Sequence, residues 1–258
     1  MSLFEDWCDQ DEEGDGSKRL WKLTEKEGGR EAVRDRFYEA VRSHYDDLAR
    51  MADSVEALGY DDASAILRMR FPQSARARSG ELGELIACEL IDEKLDYRIP
   101  VKPLRYKDGR EMALRGDDFI GIGYDEDDDL CLLKGEAKSR ATLGATTITE
   151  ARTMLRKHGG RPDPTSLIFV MDRLLEGQGD DRALGVALRE EIARRAVPAS
   201  RIEHVLFTLS GNAPPAALAT DLAAADNIRT HTVINFRING HQAFIGAVYE
   251  EAGILGDD

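Results

Sequence analysis

The chain has 258 residues, 42% hydrophobic and 33% charged, enough for one large domain or a core domain with an appendage. Its 35 basic and 49 acidic side chains leave a net charge of −14, which excludes nucleic-acid binding through net charge alone but leaves room for a locally basic groove. No apolar run approaches the ~20 residues of a membrane span, the acidic start MSLFEDWCDQDEEGDG lacks the order of a signal peptide, and Cys8, Cys88 and Cys131 are too scattered for a disulfide framework or a zinc site; the expected address is the cytoplasm, with no membrane partner.

No repeat of fixed period is present, so solenoid folds drop out. Seven acidic side chains between Glu5 and Asp15, with Gly14 and Gly16, predict a mobile acidic tip. From Arg30 to about Leu58 the spacing of Val33, Phe37, Ala40, Val41 and Tyr45 predicts a helix, with Gly59 as its stop. A second helix is expected from Asp61 to Arg70, capped by Asp61 or Asp62 and closed by Pro72. Residues 1–73 therefore read as an acidic tip plus helical extension, and residues 74–258 as the main domain.

The segment GELGELIACELIDEKL predicts a helix that buries Leu82, Leu85, Ile86, Leu90 and Ile91. Short apolar runs follow as expected strands at Tyr97 to Leu104, Glu111 to Leu114, Phe119 to Tyr124 and Leu130 to Leu133, with Asp125 to Asp129 as a solvated hairpin tip. That acidic run lacks the spaced ligands of a calcium loop. Thr147 to Lys157 predicts a helix ended by Gly159-Gly160. The run SLIFVM, Ser166 to Met171, reads as a strand buried on both faces. Leu184 to Ala193 is expected to be helical and His204 to Leu209 a strand; an Ala-rich helix follows Pro214-Pro215. Asn239-Gly240 between VINFRI and HQAFIGAVY predicts a closing hairpin. Helices and strands mixed in this order predict an α/β domain with a mixed central sheet flanked by helices.

The chemistry concentrates at Asp118, which opens DFIGIGY, and at Glu136 and Lys138 in LCLLKGEAK. On a strand, residues two apart share a face, so Glu136 and Lys138 would present a carboxylate and an ammonium together. Pairing through the acidic turn would set Asp118 opposite Glu136. Carboxylates brought together repel unless a proton or a cation intervenes, and oxygen ligands without His or Cys favour Mg²⁺, with Mn²⁺ as a substitute. Asp118, Glu136 and the Ala137 carbonyl are the expected ligands. Lys138 would orient water or offset charge on a phosphate, and Glu84, on the preceding helix, could hold a ligating water or a second ion. This is the chemistry of metal-dependent phosphodiester hydrolysis.

Simpler roles exist for each group. Glu136 and Lys138 alone could be an exposed edge-strand pair, and Glu81 and Glu84 could be helix-start acids favoured by the macrodipole; Glu81 is read that way. Arg68, Arg70, Arg76 and Arg78 precede the motif helix, and Arg140, Arg152, Arg156 and Lys157 follow the motif. They are expected to flank the cleft and contact phosphates, unless they are ordinary solvated side chains. The histidines show no metal spacing, and Trp7 and Trp21 are expected to pack or to contact a partner.

Asp118, then Glu136-Ala137-Lys138, with Glu84 on the helix before them, resemble the PD-(D/E)XK (restriction-endonuclease-like) nuclease superfamily. More closely, GELGELIACELI, RGDDFIGIGY and LCLLKGEAKSRA resemble the HamA nuclease family of Hachiman anti-phage defence, over roughly Ser79 to Tyr249. The resemblance implies an α-β-β-β-α-β core, DNA as substrate, Asp118, Glu136 and Lys138 as the catalytic set, and a helicase partner of the HamB type. The chain departs from the family pattern in placing Asp117 and Asp118 side by side; Asp118, directly before the apolar run, is favoured, and alternation alone leaves Asp117 open. A nuclease-fold adaptor without activity, or an RNA-cleaving toxin built on the same ligands, are the competing readings.

Overall fold

The computed structural model describes residues 2–46, 63–107, 109–111, 116–194 and 196–254. The expected helix beyond residue 46 with its Gly59 stop, the caps at Asp61 and Asp62, and most of the strand expected at 111–114 lie outside the described residues.

Six strands form one mixed sheet in the order β1-β2-β6-β5-β4-β3: β1 (Cys8–Asp15), β2 (Lys18–Glu25), β3 (Phe119–Tyr124), β4 (Leu130–Arg140), β5 (Ile202–Ser210) and β6 (His231–Arg237). The outer pairs β1–β2 and β3–β4 are antiparallel, and β2, β6, β5 and β4 run parallel. The helices are α1 (Leu3–Trp7), α2 (Gly29–Tyr45), α3 (Ala63–Arg70), α4 (Ala75–Lys94), α5 (Ala145–Arg156), α6 (Pro164–Glu176), α7 (Gly179–Arg194), α8 (Ala217–Ala223) and α9 (His241–Ala252). One sheet face packs α1, α2, α4 and α9 against Trp21, Ala137, Phe207 and Phe236. The other packs α5 and α8 against Leu20, Leu206 and Val233, and α6 and α7 against Ile120, Leu132 and Ile202. Both faces of the parallel strands are covered, which is why β5 is buried throughout, its polar Glu203, His204, Thr208 and Ser210 included.

Four sequence expectations are corrected. The acidic start is not a mobile tip: after α1 it forms β1, paired residue for residue with β2. Because β2 joins β6, the division at residue 73 does not coincide with a break in the sheet, and Trp7 and Trp21 are buried packing residues. SLIFVM is helix, not strand. Asp163 caps α6 by accepting the N–H groups of Thr165 and Ser166, Pro164 occupies the first turn, and Val170 and Leu174 are buried one turn apart; a short apolar run fits either period. Asn239-Gly240 turns β6 into α9 rather than into a hairpin. Gly240 supplies the left-handed turn, φ 64°, and Phe244, Ile245, Val248, Tyr249 and Ala252 follow at helical spacing. The strand expected from Tyr97 to Leu104 reduces to one bridge, Arg98 to Ile122, and a 3₁₀ turn at Pro103–Tyr106.

On the α5/α8 face the registers stack side chains into rows across the strands. The lowest row is Lys134, His204, His231 and Lys18, and its members serve the structure. Lys134 donates to the carbonyls of Lys157 and Arg161, His204 to that of Gly160, and Lys18 to those of Ala223 and Ala225. Bare carbonyls beyond the ends of α5 and α8 are thereby satisfied by basic groups. The next row up contains Glu136, and the row above it Lys138.

Candidate active site

The turn between β3 and β4 is tied by Asp125, whose carboxylate accepts the N–H groups of Asp127 and Asp129. It fixes the register Phe119 to Gly135, so continuing one step sets Asp118 opposite Glu136. Gly135 makes this pairing possible: a Cβ there would fall 1.7 Å from the Phe119 ring. Asp118 Oδ2 accepts the Ala137 N–H at 2.8 Å. Lys138 Nζ donates to Glu136 Oε1 and, at 3.1 Å, to the Ala137 carbonyl, and stands 4.0 Å from Asp118 Oδ2. The expected ligand oxygens of Asp118, Glu136 and Ala137 thus surround one ammonium.

These groups open into a pocket of about 740 Å³, whose lining includes Asp118, Glu136, Lys138, Thr149, Thr153 and Lys157. Burial raises the Glu136 carboxyl to about 7, and Asp118 adds to the rise while Lys138 opposes it. Burial also raises Asp118, against Lys138 and the Ala137 amide. Burial disfavours the Lys138 charge, but Asp118 and Glu136 outweigh it and raise the ammonium. The arrangement is short of positive charge, a condition a hard cation would relieve. Its donors are all oxygen, the chemistry Mg²⁺ prefers. Among the described residues, no three His, Cys, Asp or Glu side chains form a ready cage; the fit rests on two carboxylates and a backbone carbonyl.

Asp117 and Asp118 point to different tasks. Asp117 accepts the Asp163 N–H, lies 3.3 Å from the Lys134 ammonium, and gives its own N–H to Ser166. It is engaged in holding α6, while Asp118 lines the pocket. Glu84 lies on α4, on the opposite side of the sheet, and lines a neighbouring hollow with Arg76, Glu81 and Glu111. Burial pushes its carboxyl well up, with the Asp118 charge next in weight. Glu81 is a buried ion-pair partner of Lys107 that also accepts the Tyr45 hydroxyl at 2.7 Å, not a helix-start acid, since α4 begins at Ala75.

The arginines separate. Arg152 is buried, held by Asp221 at 2.7 Å and by His231 at 3.2 Å, so it is no phosphate contact. Arg78 binds the Pro72 carbonyl and lies over the Tyr249 ring, while Arg68 and Arg70 bind the carbonyls of Gly253 and Tyr45. Arg76, Arg140, Arg156 and Lys157 are exposed. Sequence reasoning missed Thr149, Glu150 and Thr153 as pocket lining. Their three- and four-residue spacing on α5 was the available signal, since such residues share a helix face.

A family model described as HamA matches residues 1–252. Hachiman protein HamA of Bacillus cereus is 26% identical over 182 residues, covering 70% of this chain and 63% of that protein. The match thus spans a little under two thirds of that relative's length.

Proposed function

The chain belongs to the HamA family, and from that premise we propose that it is a metal-dependent nuclease of the PD-(D/E)XK type, cutting DNA within a Hachiman anti-phage defence complex. The observation that carries the reading is the gathering of Asp118, Glu136 and Lys138 on one sheet face in an open pocket. Asp118, Glu136 and the Ala137 carbonyl would hold Mg²⁺ or Mn²⁺. When bound, the ion would polarise the phosphate and lower the pKa of a nearby water.

The chain's own residues account for the rest. Asp118 keeps its place because one oxygen is fixed to the Ala137 amide, leaving the other for binding. Burial and the Asp118 charge raise the Glu136 carboxyl, and a cation held between the two carboxylates would keep it in the ionised form. Lys138, an ammonium flanked by both carboxylates, can turn to the scissile phosphate and offset charge developing there. Thr149 and Thr153 of α5 line the same pocket, with the Thr153 hydroxyl donating to the Thr149 carbonyl at 2.8 Å.

A partner helicase fits a subunit of net charge −14 that holds DNA weakly by itself and receives it from a companion. No helix among the described residues is long and apolar enough to cross a membrane. The deciding experiment incubates purified chain, alone and with its companion subunit, with plasmid DNA and with RNA in Mg²⁺ or EDTA. DNA cleavage that needs Mg²⁺ and disappears in Glu136→Gln and Lys138→Met is the expected result. Cleavage of RNA alone, or biological defence that survives both substitutions, would replace this reading with the toxin or the adaptor.

A further inference from the structure

The uppermost row on the α5/α8 face is Arg140, Ser210, Arg237 and Thr24, in register on β4, β5, β6 and β2. It lies at the carboxyl ends of the parallel strands, where α/β sheets place their ligands. Arg140 shares its face with Glu136 and Lys138, being four and two residues further along β4. Strand geometry sets it ~7 Å beyond Lys138, with Arg237 ~10 Å to the side across β5.

Both arginines are exposed at the ends of otherwise buried strands. Arg140 donates to the carbonyl of its neighbour Ser139 at 2.8 Å, and neither guanidinium has a carboxylate partner among the described residues. Elsewhere, Arg19, Arg30, Arg34, Arg36, Arg152 and Arg201 all sit on carboxylates. The acid at this end of the sheet, Glu25, is engaged by Arg30 and the Asn239 N–H rather than by Arg140 or Arg237.

We infer that the carboxyl ends of β4, β5 and β6 form a track for a phosphodiester backbone leading from the pocket, with Arg140 and Arg237 as its phosphate contacts. The inference rests on the nuclease reading above and adds a path and a residue, Arg237, that the motif does not contain. Planar guanidinium groups match phosphate oxygens in pairs. The path stops short of the far edge: beyond Arg237 and Thr24 the same row reaches Asp9 of β1, and Asp11, Glu12 and Glu13 line that exposed strand. An acidic border there repels a polyanion.

The test measures binding of fluorescent single- and double-stranded oligonucleotides to the full chain carrying Glu136→Gln, over a salt series. Arg140→Glu and Arg237→Glu are compared with Arg189→Glu on α7, an equal change in charge at an exposed position away from the row. Each track reversal is expected to weaken binding by at least tenfold. The double reversal should flatten the slope of log affinity against log salt by about one to two, while Arg189→Glu changes affinity less than twofold. The milder Arg140→Ala and Arg237→Ala should show the same order with unchanged melting temperature. Equal effects from all three reversals overturn the track. If wild-type chain cuts DNA while the track variants bind it normally, the track falls and the nuclease reading stands. If wild-type chain neither binds nor cuts nucleic acid even with its companion subunit present, both fall. Normal binding with lost association to the companion protein would overturn the track in favour of a protein surface.

Discussion

Asp118 and Ala137 are joined by a 2.8 Å hydrogen bond from the Ala137 amide to the Asp118 carboxylate. The bond ties the residue before the edge strand to the backbone between Glu136 and Lys138, so position and charge of Asp118 can be separated experimentally. Asp118→Asn keeps an acceptor oxygen for the amide and removes the charge. It should fold with a melting temperature at or above wild type while losing metal-dependent cleavage. Asp118→Ala leaves the amide without its partner and should cost about 1–3 kcal/mol as well. Equal melting temperatures for the two variants would show that the bond does not position the strand.

Lys138 makes a second prediction, because its ammonium sits among the oxygens that a cation would use. Lys138→Met should leave the carboxylates without a counter-charge and be destabilised in EDTA. Added Mg²⁺ should then raise its melting temperature more than it raises that of wild type. A ligand at a hundred times its Kd stabilises by about 2.7 kcal/mol, which sets the size of shift to look for. A smaller Mg²⁺ shift in the variant than in wild type would mean that Lys138 helps metal binding rather than standing in its place.

The buried Arg152 yields a third. Removing one partner from a buried ion pair costs about 3–5 kcal/mol, and Arg152 is fixed to Asp221 at 2.7 Å. Arg152→Ala should therefore lower the melting temperature sharply, and any loss of nucleic-acid binding should follow unfolding. Arg156→Glu, exposed three residues from the pocket's Thr153, should leave stability within about 0.5 kcal/mol. Chemical denaturation of both variants distinguishes the roles.

The strand pair that carries the candidate site was legible because its signals are local. Phe119 to Tyr124 alternates into a turn of five consecutive acids, and the strand bounds match β3. What the sequence concealed depends on distant partners. Arg152 and Arg156 differ by one helical turn and look alike as text, yet Asp221, 69 residues away, holds only the first. The acidic β1 has poor strand-forming residues; it is ordered because β2 is anchored by Leu20, Trp21 and Leu23 on a sheet completed near the other end of the chain. Asn239-Gly240 is a strong hairpin signal only where an antiparallel neighbour is free, and β6 already lies between β2 and β5.

Buried histidines make the last prediction, on pH. His44 is buried against Glu89 at 2.7 Å, and His204 donates to the Gly160 carbonyl at 2.8 Å. Burial lowers the first to about 4 and the second to about 3, against about 6.5 in an unfolded chain. A histidine with a lowered folded pKa favours the folded state above 6.5, and that contribution is lost as pH falls towards the folded value, because the unfolded chain takes up the proton first. By pH 5 each group should have removed about 2 kcal/mol of stability. Raised carboxyls such as Glu136 act in the opposite sense, so the clean measurement is a difference. His44→Gln can keep a donor for Glu89, which also retains Lys102 at 2.8 Å. Denaturant unfolding at pH 7.5 and pH 5 should show a fall in stability about 2 kcal/mol smaller in this variant than in wild type; equal falls would mean that His44 takes up its proton in the folded protein as it does in the unfolded chain.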